Sequence, residues 1–149
     1  MKVADILDEL DLFKDFRYCE LEIVARYLRL EDVVKGAHIF REGEPGTYML
    51  ILVDGKITIY KGGEHGQHLL SHEGRGRIIG EMAMLDHERR SATCVAETDC
   101  QLLTLSEENL KNMAADHPGV AYRFMHCIAC MLSRRLRRLS GLMADFIGG

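Results

Sequence analysis

The sequence predicts an α+β fold that is mainly β, a barrel or jelly roll set between helical blocks, and three observations carry that prediction. Apolar residues recur at helix-like spacing through the first 34 residues or so. The rhythm then switches to short alternating runs punctuated by glycine. From about residue 106 a single apolar stripe with three- and four-residue spacing takes over. These changes divide the chain into 1–34, 35–106 and 107–149, and all 149 residues read as one domain.

In the first block the helix-spaced residues are Ile6, Leu7, Leu10, Leu12, Phe13 and Phe16, then Leu21, Ile23, Val24, Tyr27 and Leu28, with a break near Asp15–Cys19. In the second, Ile39-Phe40 leads into the turn Glu42-Gly43-Glu44-Pro45-Gly46. The runs Tyr48–Val53 and Lys56–Tyr60 flank Asp54-Gly55, which reads as a tight hairpin turn. Gly62–Gly66 reads as another turn, and Ala92–Glu97 and Gln101–Leu105 read as closing strands. The third block opens on Ser106-Glu107-Glu108-Asn109, a helix cap followed by early acids. Pro118 suits the first turn of a new helix. Along that helix Met125, Ile128, Leu132, Leu136, Leu139, Met143 and Phe146 form a seam of about three heptads.

Composition narrows the function classes. With 47% hydrophobic and 28% charged residues the chain can bury a core. A net charge of −4 gives no general attraction to nucleic acid. No apolar run reaches a membrane-spanning length, and acids sit where a signal peptide needs apolar residues, so a cytoplasmic protein is expected. Five cysteines, an odd number, fit reduced thiols better than a disulfide framework.

The segment most informative about function is Gly80-Glu81-Met82-Ala83-Met84-Leu85-Asp86-His87-Glu88-Arg89-Arg90-Ser91-Ala92-Thr93. Gly80 lets backbone approach a ligand closely. A helical turn over 81–85 would offer free N–H groups to an anion. Arg90 can close on phosphate oxygens as a charge-assisted fork, and Glu81, which only accepts hydrogen bonds, suits a hydroxyl such as a ribose 2′-OH. Together these groups suit a sugar phosphate.

This segment resembles the phosphate-binding cassette of the cyclic-nucleotide-binding domain, in Gly80, Glu81, Ala83, Arg90, Ser91, Ala92 and Thr93. One departure is Arg89, where many members carry proline. The glycine-rich pattern of Gly36, Ile39, Glu42, Gly43, Gly46, Met49 and Gly55 resembles the same family, so the likeness spans roughly residues 10 to 140. The resemblance implies an eight-stranded β-roll flanked by N-terminal helices and a long C-terminal helix. It implies a ligand site of Gly80, Glu81, Met82, Ala83, Arg90, Ser91 and Ala92, with Glu81 on the ribose and Arg90 on the cyclic phosphate. It also implies a lid residue on the terminal helix: Arg134, Arg137 or Ser140, of which Ser140 is carried into the expected site. The expected ligand is a cyclic mononucleotide, cAMP ahead of cGMP, with no cofactor.

Other constellations carry less. His65, His68 and His72 are close in sequence, but there is no His-x-His, and a solvated hairpin is expected rather than a metal site. Cys127 and Cys130 read as buried thiols. Arg134, Arg135, Arg137 and Arg138 read as a solvated face beside the seam. No nucleophile, P-loop or dinucleotide signature appears, so no catalysis is expected.

The expectation is thus a regulatory sensor, homodimeric through its terminal helix, that signals to a protein effector of unknown identity. No membrane partner is expected. Because residues Phe146–Gly149 end the sequence just past that helix, no DNA partner is expected either. Two alternatives stay open: a ligand-free dimerisation module of the same fold, and a truncated transcription regulator.

Overall fold

The computed structural model describes the backbone of residues 2–63 and 66–148, and the side chains of 2–62 and 66–143. Within those residues, eight strands form two four-stranded antiparallel sheets. One has the order β1 (Arg29–Val33), β8 (Cys100–Ser106), β3 (Tyr48–Asp54), β6 (Ile78–Ile79). The other has the order β2 (His38–Phe40), β7 (Thr93–Ala96), β4 (Ile57–Gly63), β5 (Gly66–Glu73). Helices α1 (Val3–Asp8) and α2 (Tyr18–Ala25), with a 3₁₀ turn at Asp11–Phe13 between them, precede the strands. Helix α3 (Glu81–Asp86) is inserted after β6. Helices α4 (Glu107–Asp116) and α5 (Pro118–Gly148) close the chain.

The run Tyr48–Val53 is apolar without a break because β3 is buried on both faces. Its side chains alternate. Leu50 and Leu52 point between the two sheets, where they meet Phe40, Ile57, Ile79 and Leu102. Met49, Ile51 and Val53 point the other way, into a core shared with Leu7, Phe13, Leu21, Met113 and Phe124 of the helical blocks. Phe13 and Phe124 stack with ring centroids 6.2 Å apart, joining the first block to α5. Truncating Ile51, which is fully buried, to alanine should cost about 2–5 kcal/mol. The Ser106 hydroxyl accepts from the Asn109 N–H at 3.0 Å, capping α4, and Pro118 begins α5.

Three expectations are corrected. Residues Arg29–Val33, assigned to the helical block, form strand β1. Among the described residues it pairs only with β8, so its charged side chains stand at an edge, exposed or half-buried, and hide its strand character. Asp54-Gly55 is not a hairpin turn. Both edges of β3 are taken, by β8 and β6, so the chain crosses at Gly55 to the opposite sheet, where β4 pairs with β7 and β5. The seam of α5 is not uniform. Ile128 is buried, and Met125 and Leu132 pack against the chain's own core, whereas Leu136, Leu139 and Met143 are exposed. The Phe146 position of the seam and His65 lie outside the described side chains.

Candidate functional site

Gly80 ends β6 and caps α3 in a left-handed conformation, φ +80°, which a residue with a Cβ adopts only under strain. That turn aims Glu81 inward: despite its charge it is only 3% exposed. Arg90, also 3% exposed, returns to the same place from the far end of the segment. Its Nη1 donates to the Gly80 carbonyl at 2.8 Å and its Nη2 to the Tyr48 carbonyl at 2.6 Å. The guanidinium lies over the Phe40 ring, 4.1 Å from its centroid, and 4.9 Å from that of Tyr48. Among the described residues the buried Arg90 Nε has no partner. Burial pulls the Arg90 guanidinium below its ordinary pKa, though an arginine remains charged at neutral pH, and burial raises that of the Tyr48 phenol.

The glycine-rich turn before β3 holds this loop in position. The Gly43 N–H donates to the Arg90 carbonyl at 2.9 Å, and the Arg90 N–H to the Glu44 carbonyl at 2.8 Å. Arg89 Nη1 donates to the Gly43 carbonyl at 2.8 Å, and Pro45 and Arg89 form a β-bridge. Lys61 Nζ donates to the Ser91 carbonyl at 2.8 Å. Gly46 packs so closely on Ala83 of α3 that a Cβ at that position would collide with the alanine side chain.

Gly80, Glu81, Met82, Ala83, Arg90, Ser91 and Ala92 line one cavity of about 580 Å³, a volume that admits a small ligand. Phe40, Ile59 and Leu70 supply apolar wall. The terminal helix contributes Arg135, Arg138 and Leu139 to the lining; Arg134, Arg137 and Ser140 are exposed and not part of it. Arg135 is the residue that the sequence reading passed over. Its Nη1 donates to Glu81 Oε1 at 2.8 Å and its Nη2 to the Ile78 carbonyl at 3.2 Å. Its identity was hidden in a run of four arginines; only the rotation of α5 against the β-roll singles it out. Glu73 and Arg77, also at the cavity, pair with each other at 2.8 Å. The floor therefore offers an acceptor-only carboxylate beside a donor-only guanidinium, under a helix that touches the carboxylate.

Elsewhere, a larger groove of about 780 Å³ runs along β1 and α4. Of its charged residues, Arg29 pairs with Glu31 and Lys111 with Glu107. His72 Nδ1 lies 3.1 Å from Glu97 Oε2, and His68 is exposed. Among the described residues no group of three or more His, Cys, Asp or Glu is placed to hold a metal ion. All five cysteines are free thiols. Cys94 and Cys100 are buried, Cys127 and Cys130 half-buried and Cys19 exposed. Among the described residues no helix is long and apolar enough to cross a membrane.

The family model described as the cyclic nucleotide-binding domain matches residues 30–117. The chain is 26% identical over 144 residues to the CRP-like cAMP-activated global transcriptional regulator of Mycobacterium tuberculosis, covering 96% of this chain and 62% of that protein. It is 33% identical over 119 residues to the cyclic AMP receptor protein of Thermus thermophilus, covering 79% of this chain and 53% of that one. It thus spans between half and two-thirds of these relatives' length. Among solved structures, a cyclic nucleotide-binding domain from Methylobacillus flagellatus superposes with a TM-score of 0.82 at 28% identity, over 92% of this chain and 78% of the other.

Proposed function

The chain belongs to the cyclic nucleotide-binding domain family, and from that premise we propose that it is a regulatory sensor of a cyclic mononucleotide, cAMP ahead of cGMP. The observation that carries the reading is the juxtaposition of Glu81 and Arg90, both 3% exposed, on the floor of one cavity. Buried charges are expensive, and two of opposite hydrogen-bonding character beside a free volume suit a ligand that is both a sugar and a phosphate. The names of the Mycobacterium and Thermus relatives support cAMP.

In this reading Glu81 accepts the ribose 2′-OH and Arg90 neutralises the cyclic phosphate, with backbone N–H groups of Met82, Ala83 and Ser91 around the phosphate oxygens. A ligand hydroxyl on Glu81 competes with Arg135. The signal is then a change in the α5 contact: the ligand redistributes α5 between a position held by the Arg135–Glu81 pair and another. The cavity-facing Arg135, Arg138 and Leu139 are the lid residues in this scheme. Binding, not catalysis, is the activity, and no cofactor takes part. The exposed distal face of α5 is read as the seam of a homodimer, and a protein effector receives the signal in the cytoplasm.

The second reading, a ligand-free module, draws support from the same pair, since Arg135 already satisfies Glu81 without any ligand. Thermal melting with and without cAMP separates the two. A sensor gains stability with ligand concentration, as mass action requires. An unchanged melting temperature at millimolar cAMP and cGMP would favour the ligand-free module.

A further inference from the structure

On the other side of Ile78 lies a second cavity of about 570 Å³, between the 11–16 segment and α5. Lys14, Arg77, Arg123, Arg134 and Arg135 line it, against only two carboxylates, Asp11 and Asp15. Arg77, Arg123 and Arg135 already have partners in Glu73, Glu20 and Glu81. Lys14 and Arg134 come from different elements, and among the described residues neither side chain has a hydrogen-bond or ion-pair partner. Among the described residues the buried Arg135 Nε has no acceptor to offset its desolvation. Between the charges, Leu12, Phe16 and Met131 give an apolar wall.

We propose that this cavity is a second binding site, for a small organic phosphate whose anionic end is held by Lys14 and Arg134 and whose body rests on Leu12, Phe16 and Met131. Two unpartnered cations facing one volume from separate elements suit a multiply charged oxyanion. Arginine in particular forms paired charge-assisted bonds with phosphate. The site does not depend on the reading of the first cavity. Arg77, Ile78 and Arg135 nevertheless line both, so an anion held here pulls on the same guanidinium that clasps Glu81.

The test is an NMR titration of the whole protein with inorganic pyrophosphate at low salt, following the Met131 methyl and His126 ring resonances. The wild type should give a saturable shift. The double variant Lys14→Glu, Arg134→Glu, whose positions are both exposed, should weaken it by at least about tenfold while its melting temperature stays unchanged. Arg90→Ala, which empties the first cavity of its anion contact, should leave the titration within about twofold. Absence of a saturable shift, equal affinity in the charge-reversed variant, or loss of binding in Arg90→Ala would each overturn the proposal.

Discussion

Arg135 Nη1 on the terminal helix donates to Glu81 Oε1 at 2.8 Å, joining residues 54 apart in sequence across the wall of the cavity. The Glu81 side chain is 4% exposed and that of Arg135 29%. Removing the arginine therefore leaves a buried carboxylate without its counter-charge. Arg135→Ala should lower stability by about 1–3 kcal/mol, less than for a fully buried pair because water reaches the arginine. Urea melts with and without saturating cAMP check this. If the pair is what the ligand displaces, the deficit is smaller in the presence of ligand.

Gly46 touches Ala83 where a Cβ would collide with it. Gly46→Ala should push α3 outward, costing about 1–3 kcal/mol as overpacking does, and should weaken nucleotide binding together with stability. Melting temperature and calorimetric affinity on the same sample test it. Loss of stability with unchanged affinity would detach this turn from the site.

Much of this architecture was legible in the sequence because β3 is apolar on both faces and the glycine-rich turns punctuate the roll. The cassette was legible because Gly80, Glu81 and Arg90, which line one cavity, lie within one short segment. What was not legible depends on long-range packing. β1 looks helical because an edge strand carries Arg29, Glu31 and Asp32 into solvent. Asp54-Gly55 looks like a hairpin because spacing does not tell which sheet the next strand joins. Arg135 is indistinguishable from Arg134, Arg137 and Arg138 until α5 is set against the roll by Phe124 and Ile128 in the core.

His72 lies against Glu97, and that hydrogen bond, with one from Thr58, holds the Glu97 carboxyl below its usual pKa. A carboxylate with a depressed folded pKa contributes stability above its unfolded value, near 4.5, and that contribution disappears as pH falls through the folded pKa. His72→Ala should therefore lower the melting temperature at pH 6 and make its decline between about pH 5 and pH 3 shallower. A parallel decline in both proteins would show that the contact is idle.

Leu136, Leu139, Leu142 and Met143 are each about 60% exposed on the distal half of α5. Such a patch suits the seam of a homodimer. The double variant Leu136→Glu, Leu142→Glu should sediment as a monomer where the wild type sediments as a dimer. A monomeric wild type would refute this use of the face.

Isothermal titration of the protein and of Arg90→Ala with cAMP, cGMP and cyclic di-GMP tests the central claim most directly. The account predicts cAMP binding at a Kd of about 1 μM or tighter, weaker cGMP binding, and an affinity at least about tenfold lower in Arg90→Ala. No heat with any of the three nucleotides, or an Arg90→Ala variant that binds as well as the wild type, would contradict it.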